Sequence, residues 1–176
     1  MTRIVAVSGS RRAGSTTRAA LSVALDAAAA AGAETDLLDL GAVDLPLYHP
    51  DEDAQGDSEA LARRVREADG VLVGTPVYHG SYSSTFKNFH DFCGSTEYER
   101  TAVGLLATAG GGSYGGALEH LRATFRNVHA WTVPHEVGIE GASSVVDEAG
   151  IRDDDLRERT ERLGRVVVEH AERLRD

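Results

Sequence analysis

The strongest constraint in the sequence is a repeated alternation of short apolar runs with segments of helical length and pattern. Two of the runs, Gly70–Thr75 and Ala102–Thr108, contain no charged residue, which is typical of strands covered on both faces. Three further strands are predicted at Ile4–Val7, at Thr35–Leu40 and within Ala130–Val137. Alternation repeated in this way predicts an α/β fold, in which a parallel sheet carries helices on both faces.

Helices are predicted between these strands, and several have a clear start or stop signal. The first runs from Ser15 to Ala31 and is closed by Gly32, while the last opens with aspartates at 153–155, which suit the positive end of a helix dipole. The other predicted helices cover Ser58–Ala68, Thr85–Phe92 and Gly116–Arg126. Ligands in such folds bind outside the carboxyl ends of the strands, so the loops after strands one, three and four are the candidate site.

Composition excludes several function classes. The 176 residues include 18 basic and 28 acidic side chains, a net charge of −10, which disfavours binding to nucleic acid. No run approaches the ~20 apolar residues of a membrane span, and the N-terminus lacks a signal-peptide pattern, so we expect a cytoplasmic protein without a membrane partner. We expect no metal site, because the chain has one cysteine, Cys93, and no pair of histidines at the spacing of metal ligands. Cys93, Phe125 and Trp131 are expected in the core.

The loop after the first strand, 8–17, has the composition of an anion-binding cradle. Its glycines let backbone amides turn inward, and its hydroxyls and the following helix N-terminus supply more donors. The loop approaches a Walker A pattern but has no lysine, because Lys87 is the only one in the chain, and it also lacks G-x-G-x-x-G. We therefore predict a site for one terminal phosphate, with Arg12 balancing its charge. The alternative is a plain turn before a capped helix.

The loops after strands three and four allow more than one interpretation. Residues 75–91 mix aromatic and small side chains with one cation, and could either flank a flat ring or pack on a neighbouring segment. The glycine cluster at 110–116 includes a G-x-S-x-G pattern, in which Ser113 would be the nucleophile of a hydrolase, with Asp147 and His170 completing the order. Against a hydrolase, His170 falls in a predicted helix, and a Gly/Ser-rich turn easily produces such a pattern.

In combination these loops resemble the NAD(P)H-dependent FMN reductase family. The family's opening pattern, GS-x-R-x-x-S, is matched by Gly9, Ser10, Arg12 and Ser15. Its second pattern, TP-x-Y-x-G/A-S followed by K-N/T-x-x-D, is matched by Thr75, Pro76, Tyr78, Gly80, Ser81, Lys87, Asn88 and Asp91. Val77 and His79 stand where many members carry Glu and Asn. A third mark, the glycine-rich turn after strand four, is matched by residues 110–116.

The resemblance implies a flavodoxin-like three-layer sandwich with a five-stranded parallel sheet in the order 2-1-3-4-5, formed by residues 1–176 as one FMN-binding domain. It implies that the FMN phosphate is held by Ser10, Arg12, Ser15, Thr16 and Thr17. The isoalloxazine ring would be flanked by Pro76, Val77, Tyr78, His79 and Gly80 on one side and by Gly110, Gly111, Gly112 and Ser113 on the other.

The implied activity is hydride transfer from NADPH or NADH to FMN and on to flavin, a quinone or a related acceptor. The cofactor carries this chemistry, so no catalytic side chain is expected. The family also implies a homodimer or homotetramer, to which the apolar segment 45–48 and Phe86, Phe89 and Phe92 would contribute. The alternative is a flavodoxin-like electron carrier that binds FMN without reacting with nicotinamide. Small residues beside Tyr78 favour the reductase, because they leave room for a second planar ring.

Overall fold

The computed structural model describes residues 1–53 and 55–175. Its main sheet has five strands in the order 2-1-3-4-5, and every neighbouring pair is parallel. The strands are β1 (Arg3–Ser8), β2 (Glu34–Asp39), β3 (Gly70–Pro76), β4 (Ala102–Thr108) and β5 (Trp131–Ile139). The predicted flavodoxin-like fold and its strand order are thereby confirmed.

Seven helices are found in the described residues. They are α1 (Thr16–Ala30), α2 (Ser58–Arg66), α3 (Ser84–Asp91), α4 (Ser95–Tyr98), α5 (Gly115–Asn127), α6 (Ala142–Val145) and α7 (Asp154–Arg175). Helices α4 and α6 and a small antiparallel hairpin, β6 (Val146–Asp147) with β7 (Gly150–Ile151), were not predicted from the sequence, because elements this short show no periodicity. Across residues 1–53 and 55–175, no helix has the length and apolarity needed to cross a membrane.

Two hydrophobic cores lie on opposite faces of the sheet. On one face, α1 and α7 pack over alternate strand residues such as Leu72. On the other, α2, α3 and α5 cover the intervening residues, Val71 and Val73 among them. Both faces of β3 and β4 are buried along their whole length, which explains why these strands lack polar alternation.

Two of the three residues expected in the core are buried. Cys93 and Phe125 lie beneath the sheet face that carries α3 and α5, as predicted. Trp131 is 62% exposed, so its predicted burial is wrong. It is the first residue of β5, the edge strand of the sheet, and therefore lacks a neighbouring strand on one side.

The strand register brings the predicted loops to one edge. Ser8, the last residue of β1, lies opposite Gly74, and Pro76, the last residue of β3, lies opposite Thr108 at the end of β4. The Val77 N–H then donates to the Thr108 carbonyl at 2.9 Å, and the Gly9 N–H donates to the Gly74 carbonyl at 2.8 Å. The segments that leave these strands therefore start side by side.

Candidate functional site

A cavity of about 310 Å³ opens where the segments leaving β1, β3 and β4 meet. Its volume is at the lower end of the usual range for small-molecule sites, ~300–1,000 Å³. The lining residues are Ser10, Arg12, Gly14, Thr16, Thr17, Pro76, Val77, Tyr78, Thr108, Ala109, Gly110, Ala142, Ser143 and Val146. A larger groove of about 510 Å³ lies between α1 and the β6–β7 hairpin, but the smaller cavity is the candidate site because it joins the three predicted loops.

Residues 9–15, which we call the first loop, are tied down before any ligand binds. The Ser83 hydroxyl donates to the Gly9 carbonyl at 2.6 Å, and the Ser10 hydroxyl accepts the Arg12 N–H at 3.4 Å. Ser15 is the N-cap of α1, and its hydroxyl accepts the Arg18 N–H at 3.1 Å. The loop therefore ends in a capped helix whose first N–H groups face the same edge of the sheet.

These hydroxyls keep hydrogen-bonding capacity for a ligand. A hydroxyl that accepts a backbone N–H still has its own O–H to donate, as at Ser10 and Ser15. Thr17 and Thr108 share one hydrogen bond at 2.6 Å, in which either oxygen can be the donor, so one of the two O–H groups stays available. Arg12 is exposed, and among the described residues its guanidinium forms no ion pair. The segment after β1 thus offers donors and one cation at the cavity, as an anionic group requires.

Residues 77–82, the third loop, form a tight two-residue turn. The N–H and carbonyl groups of Tyr78 and Ser81 bond reciprocally at 3.0 and 3.1 Å, and the turn residues His79 and Gly80 have φ values of 51° and 78°. Two positive φ values define a type I′ turn, which favours Asn-Gly, and His is one of the few other residues enriched at such angles. His79 therefore meets the backbone requirement of the position.

Neighbouring side chains hold this turn in place. The Ser81 hydroxyl bonds to Nδ1 of His120 on α5 at 2.9 Å. Ser83 caps α3, accepting the Phe86 N–H at 3.1 Å, and its own N–H donates to the Thr75 hydroxyl at 2.9 Å. Because Ser83 also donates to the first loop, the first and third loops are connected directly.

Residues 110–113, the fourth loop, are open by comparison. A Cβ atom added to Gly110 or Gly111 would meet nothing within 4 Å, and neither residue has a positive φ. The loop is anchored at its ends only: the Ala109 N–H donates to the Ile139 carbonyl at 2.8 Å, and the Tyr114 ring packs against the backbone of Gly138.

The structure brings most of the predicted site residues together. Eight of them line the cavity: Ser10, Arg12, Thr16, Thr17, Pro76, Val77, Tyr78 and Gly110. Ser15 lies beside it as the helix cap, and His79 and Gly80 form the tip of the third loop. Gly111, Gly112 and Ser113 are exposed in the fourth loop and do not line the cavity.

Several lining residues were missed from the sequence. Gly14 lies in the first loop, Thr108 and Ala109 lie at the end of β4, and Ala142, Ser143 and Val146 follow β5. A signal was available for the residues after β5, because the segment after every strand of a parallel sheet starts at the same edge. The prediction covered the segments after β1, β3 and β4 only, so it did not include them.

The geometry contradicts the hydrolase alternative. His170 lies inside α7, where its Nδ1 bonds to the Val166 carbonyl at 3.0 Å. The Asp147 carboxylate pairs with Arg152 at 2.7 Å, and this contact lowers its pKa. Ser113 does not have the positive φ of a strained nucleophile turn. Neither Asp147 nor His170 is thus directed at Ser113.

The buried titratable groups lie outside the cavity. Burial lowers the pKa of His90 to about 4 and raises the pKa of the Cys93 thiol to about 12, and it also raises the pKa of Tyr98. His90 lies on the buried face of α3, Cys93 and Tyr98 follow that helix in the chain, and none of the three lines the cavity. Over residues 1–53 and 55–175, no three His, Cys, Asp or Glu side chains come together as a metal site would require.

Comparison with known proteins agrees with this geometry. The chain is 40% identical over 112 residues to an NADPH azoreductase of Bacillus sp. (strain OY1-2), covering 61% of this chain and 62% of that protein. It is 34% identical over 86 residues to an FMN-dependent NADPH-azoreductase of Staphylococcus saprophyticus, covering 49% and 46%. These matches span less than two thirds of either relative.

A solved structure shows the same fold over almost the whole chain. FerB of Paracoccus denitrificans, a flavoenzyme NAD(P)H:(acceptor) oxidoreductase, superposes with a TM-score of 0.78 at 22% identity, covering 98% of both chains. The sequence model described as NADPH-dependent FMN reductase matches residues 2–144, which include all the predicted site loops. The chain therefore belongs to the NADPH-dependent FMN reductase family.

Proposed function

We propose that this protein is an NAD(P)H-dependent FMN reductase-type oxidoreductase, which passes hydride from NAD(P)H to FMN and electrons on to a flavin, quinone or related acceptor. The observation that carries the proposal is the two-part lining of the cavity. The segment after β1 contributes hydroxyl groups, a capped helix N-terminus and Arg12, and the segment after β3 contributes Pro76, Val77 and Tyr78. A ligand that carries both a phosphate and a flat ring matches the two parts of this lining.

The residues present fit FMN. Ser10, Arg12, Ser15, Thr16 and Thr17 would hold the phosphate, because their free O–H groups, the helix N-terminus and one cation offer charge-assisted hydrogen bonds. The backbone of residues 76–80 would lie along the ring, and the fourth loop would line its other side. Bound FMN would supply the hydride-accepting chemistry, so the protein needs to bind and orient rings rather than move protons.

The exposure of the third loop supports a reductase rather than a carrier. Tyr78 is 51% exposed, and His79 and Gly80 are exposed beside it. The fourth loop presents glycines without bulky neighbours. A second planar ring can therefore approach the ring end, as hydride transfer between stacked rings requires. The names of both azoreductase relatives support NADPH as donor and an azo compound as one acceptor to test.

Binding and turnover together test the proposal. The purified chain is titrated with FMN while the visible spectrum is followed, and NADPH and NADH consumption is then measured with flavin, quinone and azo acceptors. We expect saturable FMN binding and nucleotide consumption that depends on FMN. A protein that fails to bind FMN would contradict the proposal, and so would one that binds FMN but consumes neither nucleotide.

We further propose that the chain acts as a cytoplasmic homodimer or homotetramer. Leu47 is 84% exposed in the segment predicted to contribute, and it protrudes beside Tyr48, whose N–H donates to the Asn88 side chain at 2.9 Å. Phe86 and Phe89 do not contribute, because both are fully buried and pack in the core. Light scattering at micromolar concentration with FMN present, in low and high salt, tests this: a monomer in both would contradict it.

A further inference from the structure

Arg18 lies next to the first loop and lines the 510 Å³ groove rather than the 310 Å³ cavity. It lies in the first turn of α1, and its guanidinium contacts two different loops. One nitrogen, Nη1, donates to Oδ2 of Asp39 at 2.6 Å, and the other, Nη2, donates to the Ala13 carbonyl of the first loop at 2.5 Å. The second carboxylate oxygen of Asp39 accepts the Gly41 N–H at 3.1 Å. One side chain thus links the end of β2 to the first loop.

The first loop is also confined from the opposite direction. A Cβ atom on Gly41 would lie 2.8 Å from the Ser10 carbonyl oxygen and 3.1 Å from Cα of Arg11. The segment after β2 therefore packs directly on the start of the first loop. Asp39 fixes both the Gly41 backbone on one side and the Arg18 guanidinium on the other.

We infer that Arg18 and Asp39 are positioning residues that hold the first loop in its phosphate-binding conformation, an inference that rests on the proposed function. Neither residue lines the 310 Å³ cavity. The Arg18 charge is balanced by Asp39 at 2.6 Å, whereas Arg12 stands free at the cavity. Arg18 therefore acts on the phosphate through the shape of the loop, and Arg12 through its charge.

The geometry requires an arginine. The planar guanidinium offers several N–H groups in a fixed fork, so it can bond a carboxylate and a carbonyl at once. A lysine ammonium is a point charge on a flexible stem and would not hold both partners in the same directions. Arg18→Lys thus separates the effect of the contact from the effect of the charge.

The same strand supplies a matched control pair. Arg64 of α2 donates from Nε and Nη2 to Asp36 of β2 at 2.8 and 2.6 Å, and it also donates to the Leu37 carbonyl. The exposed fractions of the two side chains are 34% and 28%, against 33% and 21% for Arg18 and Asp39. The Arg64–Asp36 pair makes no contact with the first loop, so it reports the general effect of losing a helix-to-strand ion pair.

The experiment measures the dissociation constants of FMN and riboflavin, which differ by the phosphate. The test set comprises wild type, Arg18→Met, Arg18→Lys, Asp39→Asn and the double variant Arg18→Met/Asp39→Asn. The controls are Arg64→Met and Asp36→Asn, and thermal unfolding is followed for every protein. We expect each Arg18 or Asp39 variant to weaken FMN binding roughly tenfold and riboflavin binding less than twofold. The double variant should lose no more FMN affinity than the Arg18 variant, because both substitutions remove the same contact. The control variants should leave the FMN-to-riboflavin ratio unchanged.

Other outcomes would overturn the inference. If Arg18 binds the phosphate directly, Asp39→Asn will leave FMN affinity unchanged or raise it, and Arg18→Lys will bind FMN as wild type does. If the pair is merely structural, the Arg18 and Arg64 variants will lower the unfolding temperature alike, and neither will change the ratio of the two flavins. A wild-type chain that binds both flavins equally would also overturn the inference, because it would have no phosphate site to hold, whereas a chain that does not bind FMN would refute the proposed function itself.

Discussion

The first and fourth loops lie at the same edge of the sheet but are built in opposite ways. Ser10 is only 2% exposed, and Gly9 leaves no room for a Cβ atom, since one would lie 2.8 Å from Cβ of Phe86 and 2.9 Å from the Ser83 hydroxyl. In the fourth loop, Gly110 and Gly111 have open space around them and ordinary backbone angles. Packing therefore determines the conformation at the start of the first loop, whereas nothing comparable packs around Gly110 and Gly111 of the fourth.

The difference follows from what each loop would bind. A phosphate is best held by donors already in place, because reorganising polar groups on binding reduces affinity. The third and fourth loops would have to leave space beside the flavin ring, because the nucleotide and the acceptor would each stack on it in turn. Glycine in the fourth loop is not required by the conformation seen, and we interpret it as a requirement of the ligand-bound arrangement.

Acidification should weaken the packing that supports the first loop, through His90 on the buried face of α3. Its ring stacks on Phe86 at 5.4 Å and lies 4.9 Å from Phe125, and burial lowers its pKa from 6.5 to about 4. Between those pH values the unfolded chain binds a proton at His90 that the folded chain excludes. The contribution of His90 to the unfolding free energy is therefore fully present above pH 6.5 and is lost as the pH falls towards 4. Over that window His90 should remove about 3 kcal/mol of unfolding free energy.

Urea unfolding at a series of pH values between 7 and 4 measures this loss. The His90→Phe variant, which cannot take up the proton, should lose correspondingly less stability over the same range. Equal pH dependence in wild type and variant would show that His90 is not the group responsible.

The next largest effect is expected at Gly9. Gly9→Ala places a methyl group against Phe86 and Ser83, and overpacking of this kind typically destabilises by about 1–3 kcal/mol. The same shift would move the Gly9 carbonyl that Ser83 binds, so FMN affinity should fall with stability. Urea unfolding and FMN titration check both effects, and unchanged values for the two would contradict the close packing described.

Arg12 tests the chemistry of the first loop without changing its packing. Because its exposed guanidinium supplies the cation at the cavity, Arg12→Ala should weaken FMN binding about tenfold. This is near the lower limit for a charge-assisted hydrogen bond, because solvent screens an exposed charge. Riboflavin has no phosphate and should bind almost as before. Titration of both flavins at low and high salt measures this, and equal losses for the two would exclude a phosphate role.

The smallest effect on stability is expected in the fourth loop. Gly111→Ala meets no neighbour, so the unfolding free energy should change by less than about 0.5 kcal/mol. FMN affinity or turnover should nevertheless fall, if the glycine is needed for close approach to the ring. A variant that matches wild type in stability, FMN binding and turnover would remove the ligand-based explanation for this loop.

The parts predicted well from the sequence are those where local chemistry decides the structure. Uncharged runs identified β3 and β4, and glycine and hydroxyl residues identified the first loop. The misses depend on tertiary position. Trp131 is exposed because β5 is an edge strand, and Phe86 is buried because α3 packs it against Phe125 of α5, neither of which is encoded within a short window.

The Arg18–Asp39 contact could not be predicted for the same reason. It joins residues 21 positions apart, and the two meet only because β2 runs back alongside α1. Thr108 lies at the site because the parallel register aligns the ends of β3 and β4. A sequence pattern identifies which groups are present at an edge, but the register decides which of them meet.

Hydride transfer from a nicotinamide nucleotide to FMN in this cavity is tested most directly by anaerobic mixing. The FMN-loaded chain is mixed with NADPH, and separately with NADH, while the flavin absorption band is followed. We predict that at least one nucleotide bleaches the band, and that adding a flavin, quinone or azo acceptor restores it. If neither nucleotide bleaches the band while dithionite does, and a partner redox protein reoxidises the flavin, the chain is an electron carrier and the reductase proposal is wrong.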